Sequence, residues 1–244
     1  MKLRFINLLL LFVSLTIYSQ TVESSAVVDK FNLQIELESL YTKQKEGLET
    51  MKSWSIPSVL FRYGLFNGVE FQLNTPIIKE KLYENDHLIH SLHKFDDMQL
   101  GFSINLWKQQ NILPEASFML RAILPISLKL QNEHIGKVIS LNLSNSLNEK
   151  LSFNYNIGYV NETNNNSTYF YIANFNYNLN SKFHVFIEEF ADFSNTQKTF
   201  HNISTGLGYI FNDRFSLDLS TAKGMNHNMF YVGGIFVYNF NLKH

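Results

Sequence analysis

"GYIFNDRFSLDL", Gly208 to Leu219, holds two runs of alternating apolar and polar residues that meet across "FNDRF". Alternation sends successive side chains to opposite faces of a strand, so the chain must reverse between Phe211 and Phe215. Setting these two residues opposite each other leaves Asn212, Asp213 and Arg214 as a three-residue loop and keeps one face apolar across the turn. The motif has relatives: "LNEKL" begins at Leu147 and "LNSKF" at Leu179, so the three first residues, 147, 179 and 211, are separated by two steps of 32. Two strands of about eleven residues, one tight turn and one modest loop fill such a step. A propeller blade would need four strands per repeat, and a parallel solenoid needs no tight hairpin. One hairpin per repeat predicts an up-and-down meander.

The same period of two runs outward in both directions. "FNLQIELESLY" sets Phe31, Leu33, Ile35, Leu37 and Tyr41 against Asn32, Gln34, Glu36 and Glu38, and "VEFQLNT", "MQLGFSINLW", "LSFNYNIGY" and "YIANFNYNL" repeat the pattern. Twelve strands are predicted, near 31–41, 56–65, 69–77, 97–107, 113–126, 137–147, 151–160, 168–179, 183–193, 200–211, 215–223 and 229–240. Every second connection is short: "FNG", "KQQN", "NEK", "NSK" and "NDR" alternate with longer links at 42–55, 78–96, 127–136, 161–167, 194–199 and 224–228. In "LFNGV", Leu65 falls opposite Val69, and Gly68 supplies the positive φ that a three-residue loop needs.

Composition narrows the environment. Aromatic residues make up 15% of the 244 and charged residues only 17%, below the roughly 25% of an ordinary soluble domain. The 20 basic and 21 acidic residues nearly cancel, so no global field attracts nucleic acid. The chain has no Cys, which excludes disulfides, thiolate metal sites and a Cys nucleophile. "MKLRFINLLLLFVSLTIYSQ" places Lys2 and Arg4 before an apolar core, Ile6 to Ile17, in the layout of a secretory signal with cleavage after Ser19. That core is too short for the ~20 residues of a spanning helix. Residues 1–19 are therefore expected as a cleaved signal peptide, 20–30 as a periplasmic tail and 31–244 as the barrel.

An exported chain that spans lipid without long apolar helices must do so as a closed sheet. Twelve strands enclose more volume than a small soluble barrel fills, so the polar set faces a wet lumen and the apolar set faces lipid. Tyr41, Trp54, Trp107, Tyr159, Tyr169, Tyr209, Phe211, Phe215 and Tyr238 fall near strand ends, as interfacial girdles require. The expectation is an all-β protein: one up-and-down antiparallel transmembrane β-barrel of about twelve strands in the outer membrane of a Gram-negative cell. Its short turns and both termini face the periplasm, and its last strand, "FYVGGIFVYNF", ends in Phe240 like a signal for the barrel-assembly machinery.

"PSVLFRYGLFNGVEFQLNT", Pro57 to Thr75, followed by "FDDMQLGFSINLW" and "LPEASFMLRAILP", resembles an outer-membrane family described as a putative MetA pathway of phenol degradation. The similar residues are Pro57, Arg62, Tyr63, Gly64, Leu65, Glu70, Asp97, Gly101 and Pro125; "LPIS", Leu124 to Ser127, departs where a Gly is expected after the Pro. The resemblance implies a β-barrel that passes small, in part hydrophobic or aromatic, compounds, with no cofactor.

On the face assigned inward stand Glu36, Glu38, Arg62, Glu70, Arg121, Glu188 and Asp218, the candidates to line a lumen and set its selectivity. Arg62 lies opposite Gln72, with Glu70 as its diagonal neighbour, so these two charges can instead pair to hold the strands in register. "HLIHSLHK" spaces His87, His90 and His93 three apart, and only a helical turn would gather them around a metal ion. "HNIS" holds a His and a Ser of hydrolase type, but His201 and Ser204 have opposite parity. The reading is a monomeric channel for small molecules in contact with outer-membrane lipid, against two alternatives: a structural or surface-interaction barrel without transport, and an outer-membrane lipid hydrolase.

Overall fold

The structure is a computed structural model that describes residues 22–126, 134–194 and 198–242; the signal segment 1–19 lies outside the described residues. Thirteen strands follow in order: β1 (Asn32–Glu46), β2 (Glu49–Phe66), β3 (Val69–Glu84), β4 (His87–Phe95), β5 (Met98–Trp107), β6 (Glu115–Leu124), β7 (Gly136–Ser146), β8 (Leu151–Asn161), β9 (Ser167–Asn178), β10 (Phe183–Phe193), β11 (Phe200–Asn212), β12 (Phe215–Gly224) and β13 (Asn228–Asn241). Each barrel strand pairs antiparallel with its neighbour, and β1 closes the ring on β13. Twelve strands form the closed barrel. The thirteenth, β4, pairs only with the outer half of β3, over Ile77–Glu84, whereas β5 takes the inner half, Val69–Asn74.

Alternation sorts the side chains as lipid requires. Outward residues Ile157, Ile187 and Leu219 are 54%, 49% and 54% exposed, whereas inward Asn156, Ser117 and Glu70 are fully buried. A soluble barrel would show the reverse. Aromatic rings pair in bands at both strand ends: Tyr41 with Trp54 and Tyr159 with Tyr169 at the long-loop end, Phe211 with Phe215 and Tyr209 at the short-turn end, centroids 4.6–5.3 Å apart.

The turns are tighter than expected. Phe66 pairs with Val69 and Asn212 with Phe215, leaving Asn67-Gly68 and Asp213-Arg214 as two-residue turns, with β-bulges at Leu65 and Phe211 absorbing the extra residue. Parity across each turn is thereby kept. The Asn common to the three motifs spaced 32 residues apart acts as a local acceptor. Asn148 Oδ1 takes the amides of Lys150 and Leu151, Asn180 those of Lys182 and Phe183, and Asn212 that of Arg214, all at 2.8–3.0 Å. The carbonyls of Lys150, Lys182 and Arg214 then accept from Asn178, Ile210 and Asn239 in the adjacent hairpin, each at 2.8 Å.

Two stretches read as loops are strands. β1 and β2 run on to a two-residue turn at Gly47-Leu48, with positive φ at Gly47, and β3 and β4 meet at Asn85-Asp86, with positive φ at both residues, as primed turns need. Above the lipid a strand has no need of an apolar face, so the cue that marks the membrane strands fades while the ladder continues.

Candidate functional site

Polar residues fill the short-turn half of the barrel, and the N-terminal segment lies among them. The residues expected as a periplasmic tail, of which 22–30 are described, run inside the wall and turn out at Lys30, which bridges to Gly64. The extended segment satisfies its backbone on inward side chains. Val28 N donates to Glu70 Oε2 at 2.6 Å, Ala26 O accepts from Arg62 at 3.0 Å, Ser25 O from Asn105 at 3.4 Å, and Glu23 exchanges two hydrogen bonds with Asn156 at 2.8 and 3.0 Å. Val22 N reaches Glu188 at 3.3 Å, and the same carboxylate accepts from Asn174 at 3.2 Å.

The inward charges join through this segment. Arg62 binds Glu70 through two nitrogens, at 2.9 and 3.1 Å, and Glu36 at 3.3 Å. Gln72 donates to Glu70 at 2.5 Å and accepts from Arg121 Nε at 2.6 Å, and Arg121 pairs with Glu23 at 2.9 Å. Glu36, Arg62, Glu70, Arg121 and Glu23 are thus one network across β1, β2, β3, β6 and the tail. Arg62 pairs with Gln72 in register and with Glu70 diagonally, as the face assignment requires. Glu188 stands apart under Val22, and Asp218 faces His184 at 3.3 Å. Glu38 lines the cavity described next.

The long-loop half differs in character. Met119, Ile123, Val138 and Val160 pack with Phe170, and Phe170 also touches the cluster of Leu40, Ile172, Phe190, Ala222, Met229 and Tyr231, which Val22 joins. An apolar collar therefore lines the outer part of the lumen, where the sequence pattern assigned only polar residues. A cavity of about 450 Å³ opens there, with Val22, Glu23 and Ser24 on one side and Met119, Val138, Phe170, Ile235 and Val237 on others. Six carboxylates, Glu23, Glu36, Glu38, Glu162, Asp192 and Asp218, line it, against the cations Arg62, Arg121 and Lys198.

Two other candidates separate. His87, His90 and His93 lie in strand β4, not a helical turn, and alternation across β4 with its bulge keeps the three from one face. Ser204 is buried inside, accepting from Tyr231 at 2.8 Å, while His201 points outward to Glu189 at 3.0 Å. The tail contacts of Glu23, Asn105 and Asn156 had no signature in the sequence beyond inward parity.

Among solved structures, the COG4313 outer membrane channel from Pseudomonas putida F1 superposes with a TM-score of 0.70 at 8% identity, over 91% of this chain and all of that one. The transport unit of the autotransporter AIDA-I from Escherichia coli gives 0.57 at 9% identity, over 95% and 97%. The CymD monoaromatic hydrocarbon channel gives 0.50 at 6%, over 89% and 90%. No curated protein matches the sequence. The fold is that of outer-membrane barrels, and the family described as "Putative MetA-pathway of phenol degradation" matches residues 19–240, so the chain belongs to that family.

Proposed function

We propose that this protein is an outer-membrane channel for small molecules with an apolar part, and that the segment 22–30 forms its constriction. The carrying observation is the 450 Å³ cavity inside the closed wall, bounded by the apolar collar and by residues 22–24. A site of this size, with the apolar collar on one side and charged and polar groups on the other, suits a molecule of one or two rings that also carries a polar group. The family description and the CymD channel, a monoaromatic hydrocarbon channel, support the same class of solute. No covalent step is required: a solute leaves water for the collar, then passes the polar half beside the tail, with the lining charges setting permeability.

The test is planar-bilayer conductance of the purified protein beside a variant lacking residues 22–29. Small steps from the full chain and larger ones from the variant are expected. A membrane silent with both proteins would sink the channel reading and favour a structural barrel.

A further inference from the structure

The extension of β1, β2 and β3 beyond the membrane separates charge by face. On β1–β2, Lys43 pairs directly with Lys52, and on β2–β3 Lys52 pairs with Lys81, so three lysines stand side by side in one row. Like charges directly opposite each other in a ladder destabilise it unless something offsets them. In the same row Lys43 meets Phe230 on β13, and Phe230 meets Lys223 on β12. One row nearer the membrane lie Tyr41, Trp54 and Lys79. No Asp or Glu occupies the strand positions of this face on β1, β2 or β3; Glu46, Glu49, Glu80 and Glu84 all take the opposite parity and face inward. None of these lysines has an ion-pair partner among the described residues; instead Lys52 sits 4.6 Å from the Tyr83 ring, and Lys79 and Lys81 about 6 Å from Trp54.

We propose that this face binds the phosphate groups of a phosphorylated glycolipid in the outer leaflet, an assignment that rests on the outer-membrane reading of the barrel. Several phosphates on one headgroup match a row of lysines spaced by adjacent strands. A lipid fits better than a soluble anion because the row continues into the lipid-facing surface at Phe230 and Val232 and sits above the interfacial pair Tyr41 and Trp54. Beside it, a pocket of about 230 Å³ lined by Trp54, Ile56, Ile77 and Lys79 offers an apolar slot for an acyl chain.

The experiment titrates the full protein in detergent with lipid A carrying its phosphates and with the dephosphorylated lipid, reading bound lipid by its fatty acids. The wild type is expected to prefer the phosphorylated form by about a hundredfold, from roughly a fivefold gain per lysine over the three lysines. Lys43→Gln/Lys52→Gln/Lys81→Gln should lose that preference, while Lys43→Arg/Lys52→Arg/Lys81→Arg keeps it. Heat-modifiable gel migration establishes that both variants are folded. Equal retention of the two lipids by the wild type, an undiminished preference in the folded Gln variant, or inorganic phosphate that binds as tightly as the lipid would each overturn the proposal. Conductance is read on the same preparations: a silent wild type counts against the channel and leaves the lipid result standing.

Discussion

Arg62 is held by two carboxylates and a backbone carbonyl in a place with almost no water, at 6% exposure. Removing Glu70 strands that guanidinium, because Glu36 reaches it through one nitrogen alone. Glu70→Ala is therefore expected to cost about 3–5 kcal/mol of barrel stability, and Arg62→Ala a similar amount. The double variant should cost much less than the sum, as urea unfolding in lipid vesicles would read; additive losses would refute the pairing. Gly64 serves the same contact by absence of a side chain. A Cβ there would lie 2.0 Å from the Asp29 carbonyl oxygen, which is backbone and cannot yield cheaply. Gly64→Val is expected to push the tail from its seat and open residues 22–30 to protease, with the barrel still closed. A tail that stays protected would show that its side-chain contacts suffice without the bridge at Gly64.

At the scale of elements, the turn Asn and the extended β1–β3 tip make opposite contributions. Asn148, Asn180 and Asn212 each satisfy turn amides that have no ladder partner, so Asn→Ala at any one should cost about 1 kcal/mol in the same unfolding measurement. At the tip, Glu49 lies between Glu46 and Glu84 in register. Burial raises its carboxyl above the usual value, and Glu84 and Glu46 raise it further. A carboxyl whose folded value is raised favours folding at low pH and loses that stabilisation as pH climbs through the carboxylate range. Glu49→Gln should therefore slow amide exchange in the β1–β2 turn at pH 7 and make no difference near pH 4; an unchanged rate at pH 7 would contradict the repulsion. These elements also show where sequence was legible. The three turn motifs spaced 32 residues apart announce the hairpins because both lipid contact and turn chemistry constrain them, and the twelve barrel strands follow. "TKQKEGLETMKSWS" reads as loop because water lets both strand faces be polar, although Lys43 and Lys52 alternate in it as strand residues do. The inward charges were legible by parity, but their union through Glu23 was not, since an extended tail without period offers nothing to register.

Taken as one molecule, the barrel carries its resistance in series: an apolar collar at the outer half, then a polar half occupied by residues 22–29. A neutral solute gains in the first zone and needs little from the second, whereas an ion meets the cavity's six carboxylates and three cations. Two of those cations, Arg62 and Arg121, are already engaged by Glu70 and Glu23, so their fields are largely cancelled at the cavity. The remaining balance is acidic, and residual ion flow should favour cations. In a tenfold salt gradient the reversal potential is expected to carry the sign of cation preference and to fall in magnitude in Asp218→Asn, whose carboxylate lines the cavity beside His184. The preference should also weaken as salt rises past about 0.1 M, because screening then acts within ~10 Å. Anion preference in the wild type would mean that the arginines, not the carboxylates, govern the narrowest part of the path. It would place charge selection at the Arg62 and Arg121 contacts with the tail, within the constriction itself, and not at the cavity.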